Sequence, residues 1–495
     1  MVPLLKKVDL SVGTTLESGF EVVLLIFLSV AALLCLTYQF LALTHRYPLD
    51  YGEAPLVDQA MRLAAGQNIY RTGLSTPPYT ISNYPPIYVV SLIPFLRVFG
   101  PVLWGGRALS ELSAWATALF LALIIYTQTR DRLAATISGL IFMSFPYVVG
   151  WSSLLRIDFL ALAFSMAGLY VVTQMPATRG RLVGAAILIV ATIYTRQSYA
   201  LAAPVSAFFW LWAQNRRSAF ILALLVGGMA SGLFLILNIL THGGFYFNII
   251  TANVNEFAMS RLEQNMDRLM NAAPILLGLG GLSLFLIPRW NPLWPLTAPY
   301  LIGATLSSLT IGKIGSNVNY FLELCAALSM AVGCVLAWSR KRPRIHSLRI
   351  ILLGLLVYQA GLLMRTTLSE NVRDLRQRQE DSGQLSQLEE IVARTKGPIL
   401  ADEYMGLITL QGRPLVIQPF EVTQLSRAGV WDQTPLIQSI LQKEFLLILI
   451  HYFPGYPVYK ERWTSEMLAA IGRAYSAGDI LAGTRIYQPI NDNKP

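Results

Sequence analysis

Two acids, Asp50 and Glu53, lie three residues apart in the run HRYPLDYGEAPLVDQAMRL, just past a long apolar segment. A carboxylate held there can take a proton from an incoming hydroxyl or amine. Basic residues recur in the short polar breaks between later apolar segments. They are Arg107, Arg156 in LLRIDFL, Arg196 in YTRQSYA and Lys313 in GKIGSNVNYFLE. Any one such arginine can snorkel to lipid headgroups, and Arg156-Ile157-Asp158 can form a local ion pair. Several together form a cationic pocket suited to an anion such as a phosphate, and they would stabilise that group as it departs. Asp158, Asn317, Asn319 and Tyr320 share these turns and are expected to line the pocket.

These residues are carried by a chain of 495 residues, 54% hydrophobic and 13% charged, with mean hydropathy +0.51. Soluble domains carry about a quarter charged residues, so a soluble enzyme and a nucleic-acid-binding protein are excluded. Eleven apolar stretches are expected to cross a bilayer: 20–44, 107–127, 133–150, 157–175, 182–196, 198–213, 219–240, 269–287, 293–311, 319–338 and 349–366. With the N-terminus inside, the inner loops hold Lys6/Lys7, Arg130/Arg132, Arg179/Arg181, Arg216/Arg217, Arg289 and the cluster Arg340–Arg344. Cytoplasmic loops are expected to be basic in this way, which explains the net charge of +10. Counting 84–99 as a span would invert every later loop, so it is expected to lie at the interface. The loop 45–106, the loop 241–268 and the tail 367–495 are then outside. Residues 54–66 read as an amphipathic helix on the bilayer surface, with Asp58, Gln59 and Arg62 on its polar face.

The tail alternates β-like runs (398–403, 414–419, 445–450) with helical stretches such as 463–475, which indicates a small α/β domain. Asp402 and Glu403 read as a solvated turn after a strand. The expected fold is an all-α polytopic membrane domain, 1–366, with an extracytoplasmic α/β domain, 367–495. Cys35, Cys325 and Cys334 sit in apolar runs and read as buried small hydrophobes. His45 and His242 have no second histidine near them in sequence to form a metal site. Glu111 and Glu323 fall within spans and are expected to line the cleft or pair with an arginine.

The order Asp50-x-x-Glu53, GQNIY (66–70), TPPY (76–79) and YPPIY (84–88) resembles the first extracytoplasmic loop of the class C integral-membrane glycosyltransferases (GT-C). It is most similar to the bacterial relatives of protein O-mannosyltransferases and aminoarabinose transferases, the family 39-like enzymes. The likeness continues through Arg107, Arg156-Ile-Asp158, Thr195-Arg196-Gln197 and Gly315-Ser-Asn-Val-Asn-Tyr320. It implies transfer of a sugar from a polyprenyl-phosphate donor to an extracytoplasmic acceptor, by one displacement with inversion, in a bacterial plasma membrane. Asp50 would be the base, and Glu53 would assist it or hold a divalent metal. Arg107, Arg156 and Arg196 would contact the donor phosphate, and Asp158 is a second acid near the site. Tyr84 lines the site where relatives often carry Lys or His before the Pro-Pro, and Tyr51-Gly52 separate acids that are adjacent in some relatives. Two other classes remain open on the residues alone: a transporter or flippase, whose binding groups belong near the midplane, and a non-catalytic subunit that recruits a partner through its tail.

Overall fold

The computed structural model describes residues 2–285, 293–455 and 457–490, with 2–14 and 343 as backbone alone; Arg289 and the end of the eighth expected span lie outside them. Each of the eleven apolar stretches falls on helix. Among the described residues, five helices are long and apolar enough to cross a membrane: Thr15–Thr44, Trp104–Thr129, Arg216–Leu240, Val318–Arg340 and the apolar part of His346–Glu380. Counting each of two bent pairs as one span gives seven. Apolar side chains stay exposed along their flanks, among them Leu33, Phe40, Leu119, Leu224 and Ile239, the surface a bilayer covers. The molecule is a multi-pass membrane protein.

Proline and capping chemistry decide where these helices break. Asp131 caps Arg132–Ser144 by accepting from the Ala134 N–H. The pair Arg132–Ser144 and Pro146–Ser152 then bends by 65°. Pro146 drives Phe145 to an extended conformation, ψ 129°. That bend turns the chain so that Trp151 and Arg156 reach the end of the bundle where the first loop lies, and Arg156 pairs there with Asp50. The helix Asp158–Thr173 packs between Trp104–Thr129 and Arg179–Thr195, and Val2–Thr44 lies along His346–Thr367.

The C-terminal domain holds a four-stranded mixed sheet in the order β1-β2-β4-β3, with β1 Ile399–Ala401, β2 Leu447–His451, β3 Tyr475–Leu481 and β4 Thr484–Pro489. Strands β1 and β2 are parallel, and β3 and β4 form a hairpin through Ala482-Gly483, both at positive φ. The expected strand at 414–419 is not in this sheet. Ile417 instead bridges Tyr79 of the first loop, where the Tyr79 N–H donates to Val416 O.

The amphipathic helix of the first loop, Glu53–Ala64, does not lie on the membrane surface as expected. Asp58 and Gln59 on its polar face are buried. The Asp58 carboxylate accepts from the Leu415 N–H at 2.8 Å, and Arg62 donates to Leu415 O at 2.7 Å. The C-terminal domain covers this face. Its two hydrophobic clusters take in first-loop residues, Leu74, Tyr79 and Ile81 in one and Tyr47 and Ala54 in the other. The loop and the tail share a core.

Candidate active site

Asp50 stands at the junction of two cavities. The inner one, about 310 Å³, faces the helix turns and is bounded by Tyr84, Trp151, Arg156, Arg196, Lys313 and Tyr320. The outer one, about 530 Å³, lies between the bundle and the C-terminal domain. Asp50, Tyr51, Gly315, Ser316, Asn317 and Phe420 line both. Of the expected site residues, Asp50, Tyr84, Arg156, Arg196, Lys313, Asn317, Asn319 and Tyr320 all meet at the inner cavity.

The Asp50 carboxylate is tied down on one oxygen. Its Oδ1 accepts from the Gly52 N–H at 2.9 Å and pairs with Arg156 Nη2 at 2.9 Å. Among the described residues, no hydrogen bond engages Oδ2. Burial pushes the carboxyl up from its ordinary value; Arg156 opposes the rise, and Glu403 and Glu53 add to it. A base so placed is stronger than an exposed aspartate and still carries a cation beside it. Gly52 makes the approach possible, because a Cβ there would overlap the Arg156 guanidinium. Arg156 itself lies over the rings of Trp151 and Tyr51.

Glu53 and Arg107 are corrected by the structure. Both are fully buried. Arg107 spends all five N–H groups: Nε and Nη2 on Glu53, and the rest on the carbonyls of Ala42, His45 and Tyr47. Glu53 also accepts from the Leu49 and Leu155 N–H groups. Arg107 and these hydrogen bonds overcome the effect of burial and hold the Glu53 carboxyl below its ordinary value. Neither group has capacity left for acceptor, phosphate or metal. They lock the first loop to the second apolar helix and to the turn that carries Arg156. Among the described residues, no three His, Cys, Asp or Glu side chains gather to hold a metal ion. With Glu53 consumed, the donor set at Asp50 does not fit one.

Asp158 stands behind the cavity rather than on its wall, with 1% exposure. It pairs with Arg196, accepts from Trp151 Nε1 at 2.7 Å and accepts from Asn319 Nδ2 at 3.0 Å. It therefore positions three cavity residues at once. Arg196 is held between the rings of Tyr199 and Tyr320. Among the described residues, Lys313 is the cavity cation without a carboxylate partner. Glu111 and Glu323 are buried and line neither cavity, and neither forms an ion pair among the described residues. His242 is exposed at a turn away from both cavities.

No family profile and no curated protein sequence matches this chain. Solved structures do match its fold. ArnT from Cupriavidus metallidurans bound to undecaprenyl phosphate aligns with a TM-score of 0.62 at 14% identity, over 94% of this chain and 98% of that one. The archaeal oligosaccharyltransferase AglB from Archaeoglobus fulgidus, in complex with an inhibitory peptide and a dolichol-phosphate, aligns at 0.52 and 11% identity, over 95% and 75%. The fold is that of the class C membrane glycosyltransferases.

In this chain the outer cavity is built largely from residues that sequence reasoning left out. Arg261, Gln264, Asn265 and Arg268 come from the helix Met259–Ala272. Their spacing, i, i+3, i+4 and i+7, marks one helix face, and that signal was present in the sequence. The C-terminal domain adds Arg462, Glu403 and Phe420. Asp402 and Glu403, expected in a solvated turn, are buried. Asp402 accepts from Trp463 Nε1 and the His451 N–H, and Glu403 pairs with Arg462 at 2.7 Å. Glu421 reaches the inner cavity from the helix Pro419–Arg427. Nothing in the local sequence singles it out.

Proposed function

We propose that this protein is a membrane glycosyltransferase. It moves a sugar from a polyprenyl-phosphate donor to an extracytoplasmic acceptor, with Asp50 as general base. The observation that carries this is the position of Asp50 where a cationic cavity meets a second, outer cavity. The donor phosphate belongs beside Arg156, Arg196 and Lys313, and the acceptor enters from the outer side. The acceptor oxygen attacks the anomeric carbon as its proton passes to Asp50. The bond from that carbon to the phosphate oxygen breaks, and polyprenyl phosphate leaves with its charge held by the cations. Attack opposite the leaving group inverts the anomeric centre. The aligned structures support the lipid-linked donor, since they were solved with undecaprenyl phosphate and dolichol-phosphate.

We place the chain in a bacterial plasma membrane with eleven crossings, the N-terminus inside and the C-terminal domain outside. Basic inner loops support this orientation. The ionisable groups at the site gather at one end of the bundle, which sets the chain apart from a transporter with midplane sites. The test is incubation of the purified protein with a panel of polyprenyl-phosphate sugars. Transfer to an acceptor, or slow hydrolysis of one donor, is expected. No turnover of any donor, together with substrate flux through proteoliposomes, would replace this reading with a transporter.

A further inference from the structure

Two chemically different sets of side chains line the inner cavity. One is the cations already assigned to phosphate. The other is a set of polar side chains that each leave an oxygen with nothing to accept. Gln197 donates its Nε2 to Asn83 O at 2.8 Å, and Asn319 donates its Nδ2 to Asp158, so the amide oxygens of both are the free ends. Gln197 Oε1, Asn319 Oδ1, Asn83 Oδ1 and Glu421 Oε2 are all buried without a hydrogen-bond partner, and all four residues line this cavity. Buried acceptors in that state are costly, and four around one cavity point to a ligand that brings several O–H or N–H donors. A phosphate oxygen brings none, so these acceptors do not serve the phosphate. A sugar ring with its hydroxyls does.

We propose that Glu421, with the side-chain oxygens of Asn83, Gln197 and Asn319, forms the surface that reads the donor sugar's hydroxyl groups, so that the C-terminal domain sets sugar selectivity. This rests on the donor assignment above. Glu421 is the strongest acceptor of the four. It enters from the first turn of Pro419–Arg427, whose preceding residue, Gln418, accepts from the Ile81 N–H of the first loop at 2.8 Å. The helix is therefore anchored to the loop that carries Asp50. Burial pushes the Glu421 carboxyl up to about 7, with Arg156 and Arg462 opposing the rise, and a hydrogen-bonding hydroxyl pair would favour its charged form. Glu421 touches sugar in this arrangement and takes no proton from the acceptor. That task stays with Asp50.

The test measures binding to the full-length protein in detergent, using bare polyprenyl phosphate and polyprenyl-phosphate sugars that differ at single hydroxyls. Wild type is expected to bind one sugar-bearing lipid more tightly than the bare lipid and to discriminate between epimers. Glu421→Ala is expected to lose about tenfold or more of the sugar-dependent affinity, the worth of a hydrogen bond to a charged group, and to lose discrimination among epimers. Its affinity for bare polyprenyl phosphate stays at the wild-type value, which a misfolded variant would not preserve. Glu421→Gln, of the same shape, recovers part of the sugar affinity and guards against loss of folding in the alanine variant. Unchanged sugar affinity and epimer preference in both variants would overturn the proposal while leaving the donor assignment standing. Failure of wild type to bind even the bare lipid would overturn both.

Discussion

The division of labour between Asp50 and Glu53 comes from what each is bonded to. Both are carboxylates in one loop, three residues apart. One has an oxygen to spare beside two cavities, and the other is saturated by Arg107 and two backbone N–H groups. Glu53→Gln leaves a buried guanidinium uncompensated, and breaking such a pair costs about 3–5 kcal/mol. The expected result is a large drop in the unfolding midpoint in detergent. The sign with pH follows from the direction of the shift. The Glu53 carboxyl is held below its ordinary 4.5, so the pair's contribution is complete above that value and is lost as pH falls through the lowered one. The gap between wild type and Glu53→Gln is therefore expected to narrow in acid; a gap independent of pH would contradict it. Gly52→Ala acts differently. The new methyl group pushes the Arg156 guanidinium away from Asp50 and off the rings it packs on. Turnover is expected to fall by about tenfold, the worth of one charge-assisted hydrogen bond, with a smaller drop in the unfolding midpoint than in Glu53→Gln, whose pair is fully buried. Wild-type turnover in this variant would contradict this.

At the scale of elements, the helix Glu53–Ala64 and the segment around Leu415 form one clamp. Asp58→Ala removes the partner of the Leu415 N–H and frees Arg62, which together cost about 1–3 kcal/mol. Faster proteolysis between residues 66 and 80 is expected, since that stretch leans on the C-terminal domain through Tyr79, Ile81 and the Trp431–Leu74 hydrogen bond. Wild-type protection in this variant would show that the clamp does not order the loop. This clamp also marks the limit of what the residue pattern reveals. Apolar periodicity gave the helices, the polar turns gave six inner-cavity residues and the first loop gave Asp50, because hydropathy and charge are local properties; Tyr84 came from the family resemblance. The covering of Asp58 and Gln59 was not legible, because an amphipathic helix reads the same whether its polar face meets water or a folded domain. The mutual saturation of Glu53 and Arg107, 54 residues apart, likewise needs the packed structure. The strand expected at 414–419 failed for a related reason. Its β-like residues do find a partner, but the partner is Tyr79 of a distant loop.

At the scale of the whole molecule, the site is a seam. Helix turns supply cations from below, the first loop supplies Asp50, the proposed base, and the C-terminal domain supplies Phe420, Glu421 and Arg462 from above. Such a layout requires the domain to stand on the side of the membrane where the turns with Arg156, Arg196 and Lys313 emerge. The three native cysteines are buried, so single introduced cysteines report orientation cleanly. Lys396→Cys is expected to react with an impermeant maleimide on whole cells stripped of their outer layer, and Gln214→Cys only after permeabilisation. The opposite pattern would invert the topology. The central claim is tested most directly by sugar transfer from a polyprenyl-phosphate donor, measured for wild type and Asp50→Asn side by side. Asparagine keeps the shape and the contact with the Gly52 N–H but cannot take the acceptor's proton. Transfer is expected to fall by about 10²-fold or more, with binding of polyprenyl phosphate retained. In wild type, the rate is expected to decline as pH drops through the raised value of the Asp50 carboxyl. Transfer by Asp50→Asn at the wild-type rate would contradict Asp50 as the base.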